Sequence, residues 1–265
     1  MHGAVIRKIE TFIALSDEEK QVLLSAIGSS RDIDADRDIV SEGDRPRHCA
    51  VILEGLACRY KILEDGRRQI MSFQIAGDMC DLHSFLVSEM DHSIGTLTRC
   101  KVASIPHETV LEIMQRYPRI ARALWRDTVI DAAIFREWMV GIGRRPAASR
   151  IAHLLCEVFV RLRAVGLAAD HRFEFPVTQL EVGDALGLSL VHVNRSLQVL
   201  RGDGLITWRG KTLVIADWQG LQQVAEFEPK YLHLNDGQET NGKLNSAWQL
   251  PSRGPGEHSS STPSS

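Results

Sequence analysis

The chain has 265 residues, a formal net charge of −3, and 44% hydrophobic and 25% charged residues, enough apolar material for one large or two medium domains. Its nearly balanced charge excludes a uniformly basic coat. A nucleic-acid surface would have to gather Arg144, Arg145, Arg150, Arg195, Arg201, Arg209 and Lys211 on one face.

No run approaches the ~18 apolar residues of a membrane span, and the first residues lack the apolar core of a secretory leader, so a cytoplasmic protein with no membrane partner is expected. No P-loop, HExxH, GxSxG or paired acid/base motif occurs, so no catalytic residues are assigned and an enzyme is not expected. Cys49, Cys58, Cys80, Cys100 and Cys156 have no CxxC spacing. They predict small core side chains rather than a disulfide framework or a metal site.

In chain order, a helical segment at 17–27 precedes a region, 33–105, of short β-type runs. Turn signals at Gly43-Asp44, Glu54-Gly55, Asp65-Gly66 and Gly77-Asp78 recur about every ten residues, the rhythm of an antiparallel barrel or jelly roll. The clearest strands are 50–53, 56–63, 69–73 and 94–97, with Asp65-Gly66 as a hairpin turn.

After Pro118, residues 119–142 read as one long helix. One heptad frame places Ala121, Thr128, Phe135 and Ile142 at a positions and Leu124, Asp131 and Trp138 at d positions. A small β-roll cannot cover the whole of such a helix, so a parallel partner from a second copy is expected on this seam. Arg144 and Arg145, just past Gly143, mark the expected hinge to the next domain.

Residues 177–215 predict two short helices and a β-hairpin, a winged helix-turn-helix. Thr178 and Glu181 form a capping-box pattern, Gly187-Leu188 makes the turn, and Ser189 caps the second helix. In that helix Val193, Leu197 and Leu200 make an anchoring stripe, while Val191, Asn194, Arg195 and Gln198 share the other face. Arg suits guanine O6/N7, Asn and Gln suit adenine, and Val suits a thymine methyl. The expected DNA contacts are Arg195 foremost, with Thr178, Gln179, Ser189, Leu190, Val191, His192, Asn194 and Gln198, and Arg209 and Lys211 at the hairpin tip on phosphates.

The segment 177–215 resembles the DNA-binding end of the bacterial Crp/Fnr regulator family, matching its pattern without a gap at Thr178, Glu181, Val182, Gly183, Gly187, Ser189, Val193, Arg195, Leu197, Leu200, Leu205, Ile206, Gly210, Lys211 and Ile215. Leu190 and Val191 stand where the family's prototype has Arg and Glu, which implies a different operator. Upstream, Gly43, Gly55 and Gly77-Asp78 are similar to the turn positions of the family's cyclic-nucleotide-binding β-roll.

The resemblance implies an α+β chain: a sensor domain at 1–118, a dimerisation helix at 119–142 and a winged helix-turn-helix at 143–228, followed by a Gly/Ser/Pro-rich tail, 229–265, expected to be disordered. It further implies a homodimeric, effector-responsive transcription regulator on a pseudo-palindromic operator, with RNA polymerase as a further partner.

At the family's ligand positions this chain carries Asp81, Leu82, His92 and Ser93, with Phe135 and Arg136 on the long helix. Asp81 is shorter than the usual Glu and His92 lacks a guanidinium fork, so cyclic AMP is not expected through the usual pocket. His83 aligns with a haem-ligating His of family members that bind haem, but Asp81 replaces their Cys. The cysteines do not form the N-terminal cluster of the iron–sulfur members, so the cofactor stays unassigned. The alternatives are a haem-based sensor of the same family or a cyclic-nucleotide-responsive signalling subunit whose C-terminal domain contacts protein.

Overall fold

The computed structural model describes residues 3–234 and confirms the α+β class. Helices α1 (Gly3–Glu10) and α2 (Asp17–Ala26) come first, α2 opening on a Ser16–Glu19 capping box. Strands β1 (Ser30–Ile33), β2 (Asp38–Val40), β3 (His48–Glu54), β4 (Ala57–Ile62), β5 (Arg68–Gln74), β6 (Ser93–Thr96) and β7 (Cys100–Pro106) follow. They pair antiparallel into two sheets, ordered β1-β7-β3 and β2-β6-β4-β5. Between them lies a small core of Val40, Ala50, Ile52, Ala57, Cys80, Met90, Ile94, Cys100 and Val102. All five cysteines are free and buried, and burial pushes the Cys49 and Cys58 thiols up to about 12, where they are inert.

Helix α3 (His107–Arg116) leads into α4 (Pro118–Arg144), which starts on a proline at its first position and runs straight through Gly141 and Gly143. It stops at Arg145, which is extended because Pro146 follows. Next is α5 (Ala147–Ala164), an element the sequence reading did not mark. From Ile151 to Val160 every residue of α5 is buried, the polar His153 and Glu157 included, so its polar face is turned into the protein rather than to solvent.

The C-terminal unit contains β8 (Ala168–Ala169), β9 (Arg172–Glu174), α6 (Gln179–Leu186), α7 (Leu190–Gly202), β10 (Ile206–Arg209), β11 (Thr212–Ile215) and α8 (Trp218–Ala225). Its sheet is ordered β10-β11-β9-β8, so the predicted hairpin is half of a four-stranded antiparallel sheet. Residues 229–234, assigned to the tail from sequence, are instead built in: Pro229–Leu232 forms a 3-10 turn and Leu232 is buried. The remainder of that tail, 235–265, lies outside the described residues.

The largest core runs without a break from Phe73, Ile75 and Leu97 of the roll through Ile134 and Trp138 of α4 into α5, α7 and the C-terminal sheet. Phe73 meets Trp138 at 5.9 Å and Phe175 edge-on at 5.4 Å between ring centroids. A buried ion network crosses the same boundary. Lys8 Nζ of α1 reaches Asp78 at 2.5 Å and Asp127 of α4 at 2.9 Å, while Arg161 of α5 holds Asp78 at 3.0 Å and Glu157 at 3.4 Å. Burial alone would raise the Asp78 carboxyl, but Lys8 and Arg161 outweigh it and hold the group below its usual range. Glu157 also accepts from Trp138 Nε1 (3.1 Å) and the Tyr231 hydroxyl (2.9 Å), joining α4, α5 and the terminal 3-10 turn.

Candidate nucleic-acid interface and effector region

The helix-turn-helix is built as its sequence dictates. The Thr178 hydroxyl accepts from Glu181 N at 3.2 Å while Glu181 Oε2 accepts from Thr178 N at 2.6 Å, and Ser189 Oγ caps α7 through His192 N. Thr178 and Ser189 therefore commit their hydroxyls to helix ends. Gly187 closes α6 at φ 64°, and a Cβ on Gly183 would stand 2.6 Å from Leu188 O, so the absence of a side chain at 183 lets the turn fold back against α6.

On α7, Val193, Leu197 and Leu200 are buried, while Leu190, Val191, His192, Asn194, Arg195 and Gln198 are exposed. Asn194 Nδ2 donates to Gln179 Oε1 at 3.3 Å, which brings the first helix's leading side chain onto the same surface. Arg195 makes no hydrogen bond or ion pair among the described residues, so its guanidinium fork is free for a base edge.

The β10–β11 hairpin has Arg209 opposite Thr212 and turns through Gly210 and Lys211. Arg209 and Lys211 are both exposed there, as a phosphate contact requires. Arg201, at the far end of α7, donates to Trp208 O at 3.4 Å and ties the hairpin to the helix.

The effector region differs from expectation in its contents. Arg59 of β4, which the sequence reading did not single out, is buried in it; its Nε donates to Cys80 O at 2.8 Å and its guanidinium pairs with Asp131 of α4. Burial opposes that charge, but Asp131 more than restores it and Arg59 stays firmly cationic. The guanidinium lies 5.8 Å from the Phe135 ring centroid.

Asp81 points into the protein. It is fully buried, Oδ1 accepts from Ala50 N, and burial moves its carboxyl up to about 6. Leu82 is packed in the core around α3 and α4, Ser93 Oγ accepts from Glu42 N at 3.0 Å, and Arg136 is exposed, so these three do not converge. His83 and His92 do meet, their rings stacked at 5.4 Å. Asp91 joins them by a 2.7 Å bond to His92 Nδ1.

The expected subunit seam also needs correcting. Leu124 and Trp138 are 4% and 6% exposed, covered by their own chain, and Asp131 is held by Arg59 of that chain. Ala121, Thr128 and Phe135 are half-buried on the same inward side. Of the seven predicted seam residues only Ile142 is exposed. The exposed apolar side of α4 carries instead Trp125, Val129, Met139 and Val140. Arg144 is exposed, but Arg145 is folded in, bonded to Glu137 at 2.5 Å, and its carbonyl accepts from Arg150 Nε at 2.8 Å. The turn between α4 and α5 is thus braced by side chains on both sides.

No described helix is long and apolar enough to cross a membrane.

Comparison with known proteins matches this architecture. The profile of the cyclic nucleotide-binding domain fits residues 30–117, and that of the Crp-like helix-turn-helix domain fits 149–224. The transcriptional activator protein FnrL of Cereibacter sphaeroides is 31% identical over 206 residues, 76% of this chain and 82% of that protein. The nitrogen fixation regulation protein FixK of Bradyrhizobium diazoefficiens is 31% identical over 173 residues, 63% and 70% of the two chains. Among solved structures, FixK2 from Bradyrhizobium japonicum superposes with a TM-score of 0.67 at 26% identity, covering 74% of this chain and 96% of its own. These relatives are transcription factors rather than enzymes. With a nucleotide-binding-type roll, a long connecting helix and a Crp-like reading head in one chain, the protein belongs to the Crp/Fnr family of DNA-binding transcription regulators.

Proposed function

We propose that the chain acts in the cytoplasm as a homodimer that reads a two-fold operator through α7, with DNA affinity set by an effector at the roll. The observation that carries this reading is the division of α7 into a buried face of Val193, Leu197 and Leu200 and an open face led by Arg195. One such head offers few base contacts. Two heads one DNA turn apart supply a full site, which favours the dimer.

Helix α4 provides the matching surface. Trp125, Val129, Ala132, Arg136, Met139 and Gly143 follow one another at alternating steps of four and three, and Trp125 and Met139 are 61% and 72% exposed. That is the spacing of a coiled-coil stripe, and its apolar members would be covered by the same stripe of a second copy. Val129→Glu should give a monomer in sedimentation equilibrium with an unchanged circular dichroism spectrum and no two-site DNA complex. A Val129→Glu protein that stays dimeric would remove α4 as the interface.

Two kinds of DNA contact are separable by measurement. Lys211→Ala should weaken binding to every sequence alike and lower the slope of log affinity against log salt by about one unit. Mobility shifts across a salt series on operator and unrelated duplexes measure both. RNA polymerase is the further partner the family reading supplies. A run-off transcription assay on a bound promoter tests it.

A further inference from the structure

The connection between β5 and β6 brings together three groups whose chemistry the DNA-binding reading does not use. His83 lies on the 3-10 turn Leu82–Phe85, and Asp91 and His92 immediately precede β6. One ligand atom from each of the three lies within 4.8 Å of the other two. A zinc site needs imidazole N donors about 2.0–2.1 Å from the ion, and the two rings already lie against each other, so closing on one ion takes side-chain adjustment.

The hydrogen bonding at His92 points to a ligand. A carboxylate only accepts, so the 2.7 Å bond to Asp91 Oδ1 puts the imidazole proton on Nδ1. Nε2 is then left with a lone pair. His92 is 8% exposed, and Nε2 is buried with no hydrogen-bond partner among the described residues. Leaving such an atom unmatched is costly, and a carboxylate gripping the far nitrogen is the usual setting of a metal-ligating histidine.

Burial, the neighbouring Arg59 charge and the adjacent ring lower His83, and burial also lowers His92 against the pull of Asp91, so both rings are neutral near pH 7. The other charged groups facing them are Arg59, whose charge opposes a cation here, and Asp131, whose ion pair with Arg59 offsets part of that opposition. His83 is only partly buried, which leaves an entry path.

We propose that His83 and His92 bind one divalent first-row transition-metal ion of the zinc or nickel type, with Asp91 orienting His92 from its far nitrogen and water completing the shell, and that this ion is an effector of the regulator. Two imidazole donors select such ions over magnesium or calcium, which prefer all-oxygen shells. The turn that carries His83 packs on α4 beside the Arg59–Asp131 pair, so occupancy bears directly on the helix that leads to the reading head.

The test is calorimetric titration of the untagged, chelator-stripped full chain with zinc chloride and nickel chloride, with magnesium chloride as control. One zinc or nickel ion per chain and no magnesium heat are expected, with His83→Ala and His92→Ala abolishing the event and Asp91→Asn weakening it about 10–100-fold. Thermal melts of the three variants without metal show that each folds. Cobalt(II) loaded into the wild type should show ligand-field absorption that His92→Ala lacks. No binding, binding unchanged in His92→Ala, or a Soret band in the protein as purified would overturn the site. The effector role rests on the regulator reading, whereas the titration needs no DNA, so the two failures are distinguishable. A DNA mobility shift unaltered by stoichiometric metal would overturn the effector role.

Discussion

Arg195→Ala is expected to abolish operator preference while leaving the protein folded and dimeric. A bidentate arginine–guanine pair discriminates by about 1–3 kcal/mol, and a dimer makes it twice, so specific affinity should fall by about 2–6 kcal/mol, or about 30-fold to four orders of magnitude. Binding to unrelated DNA should hardly change, because that term comes from phosphate contacts, which we propose at Arg209 and Lys211. The structure gives a reason to expect a clean result: Arg195 is exposed and has no partner within the described chain, so its removal leaves nothing unpaired. Competition mobility shifts with operator and scrambled duplexes measure both quantities. Equal losses on the two would mean that Arg195 contacts backbone rather than bases.

Asp78→Ala should produce the largest loss of stability. Removing this carboxylate leaves the Lys8 and Arg161 charges in a buried position with only Asp127 and Glu157 opposing them, and frees the Ile75 N–H that Asp78 Oδ2 accepts at 2.8 Å. Breaking one member of a buried ionic cluster costs about 3–5 kcal/mol, a large part of the 5–15 kcal/mol by which a domain is stable. The pH dependence follows from the direction of the shift. Because the folded carboxyl lies below its usual range, Asp78 contributes stability above about pH 4, and that contribution is lost as the pH falls through the folded value. Urea unfolding should therefore show a wide gap between wild type and Asp78→Ala at pH 7 and a narrower one in the acid range. A gap that is constant with pH would assign the effect to packing rather than charge.

The reading head was legible because every signal in it is local. Thr178 and Glu181 lie three residues apart, Ser189 opens its own helix, Gly187 has the only side chain suited to its turn, and the Val193/Leu197/Leu200 stripe needs only a helical period. The β-roll was legible through its turns, since Gly43, Gly55 and Gly77 all adopt positive φ. Helix α5 was not, because its polar residues His153, Glu157 and Arg161 find their partners far away in sequence, on Tyr231 and Asp78, which no local pattern shows.

The subunit seam failed for a related reason. Leu124 and Trp125 are adjacent and both apolar, so α4 has two apolar stripes, and composition cannot say which belongs to its own roll and which to a second copy. The effector region depends on contacts far apart in sequence: Arg59 meets Asp131 from 72 residues away. Asp91 was missed although it directly precedes His92, because the family positions drew attention to Asp81, which the fold directs into the backbone of Ala50 instead.

Helix α6 is fastened to the β-roll of its own chain by Arg68, which holds Asp184 at 2.9 Å, and by Gln69, which donates to Ala185 O at 3.2 Å. Only Gly187, Leu188 and Ser189 separate that helix from α7. Strand β5 thus works as a tiller: a small swing of the β4–β5 ribbon would steer the base-reading surface within a single protomer. Tuning of such a regulator would then proceed through the ribbon's own length and stiffness, within one chain.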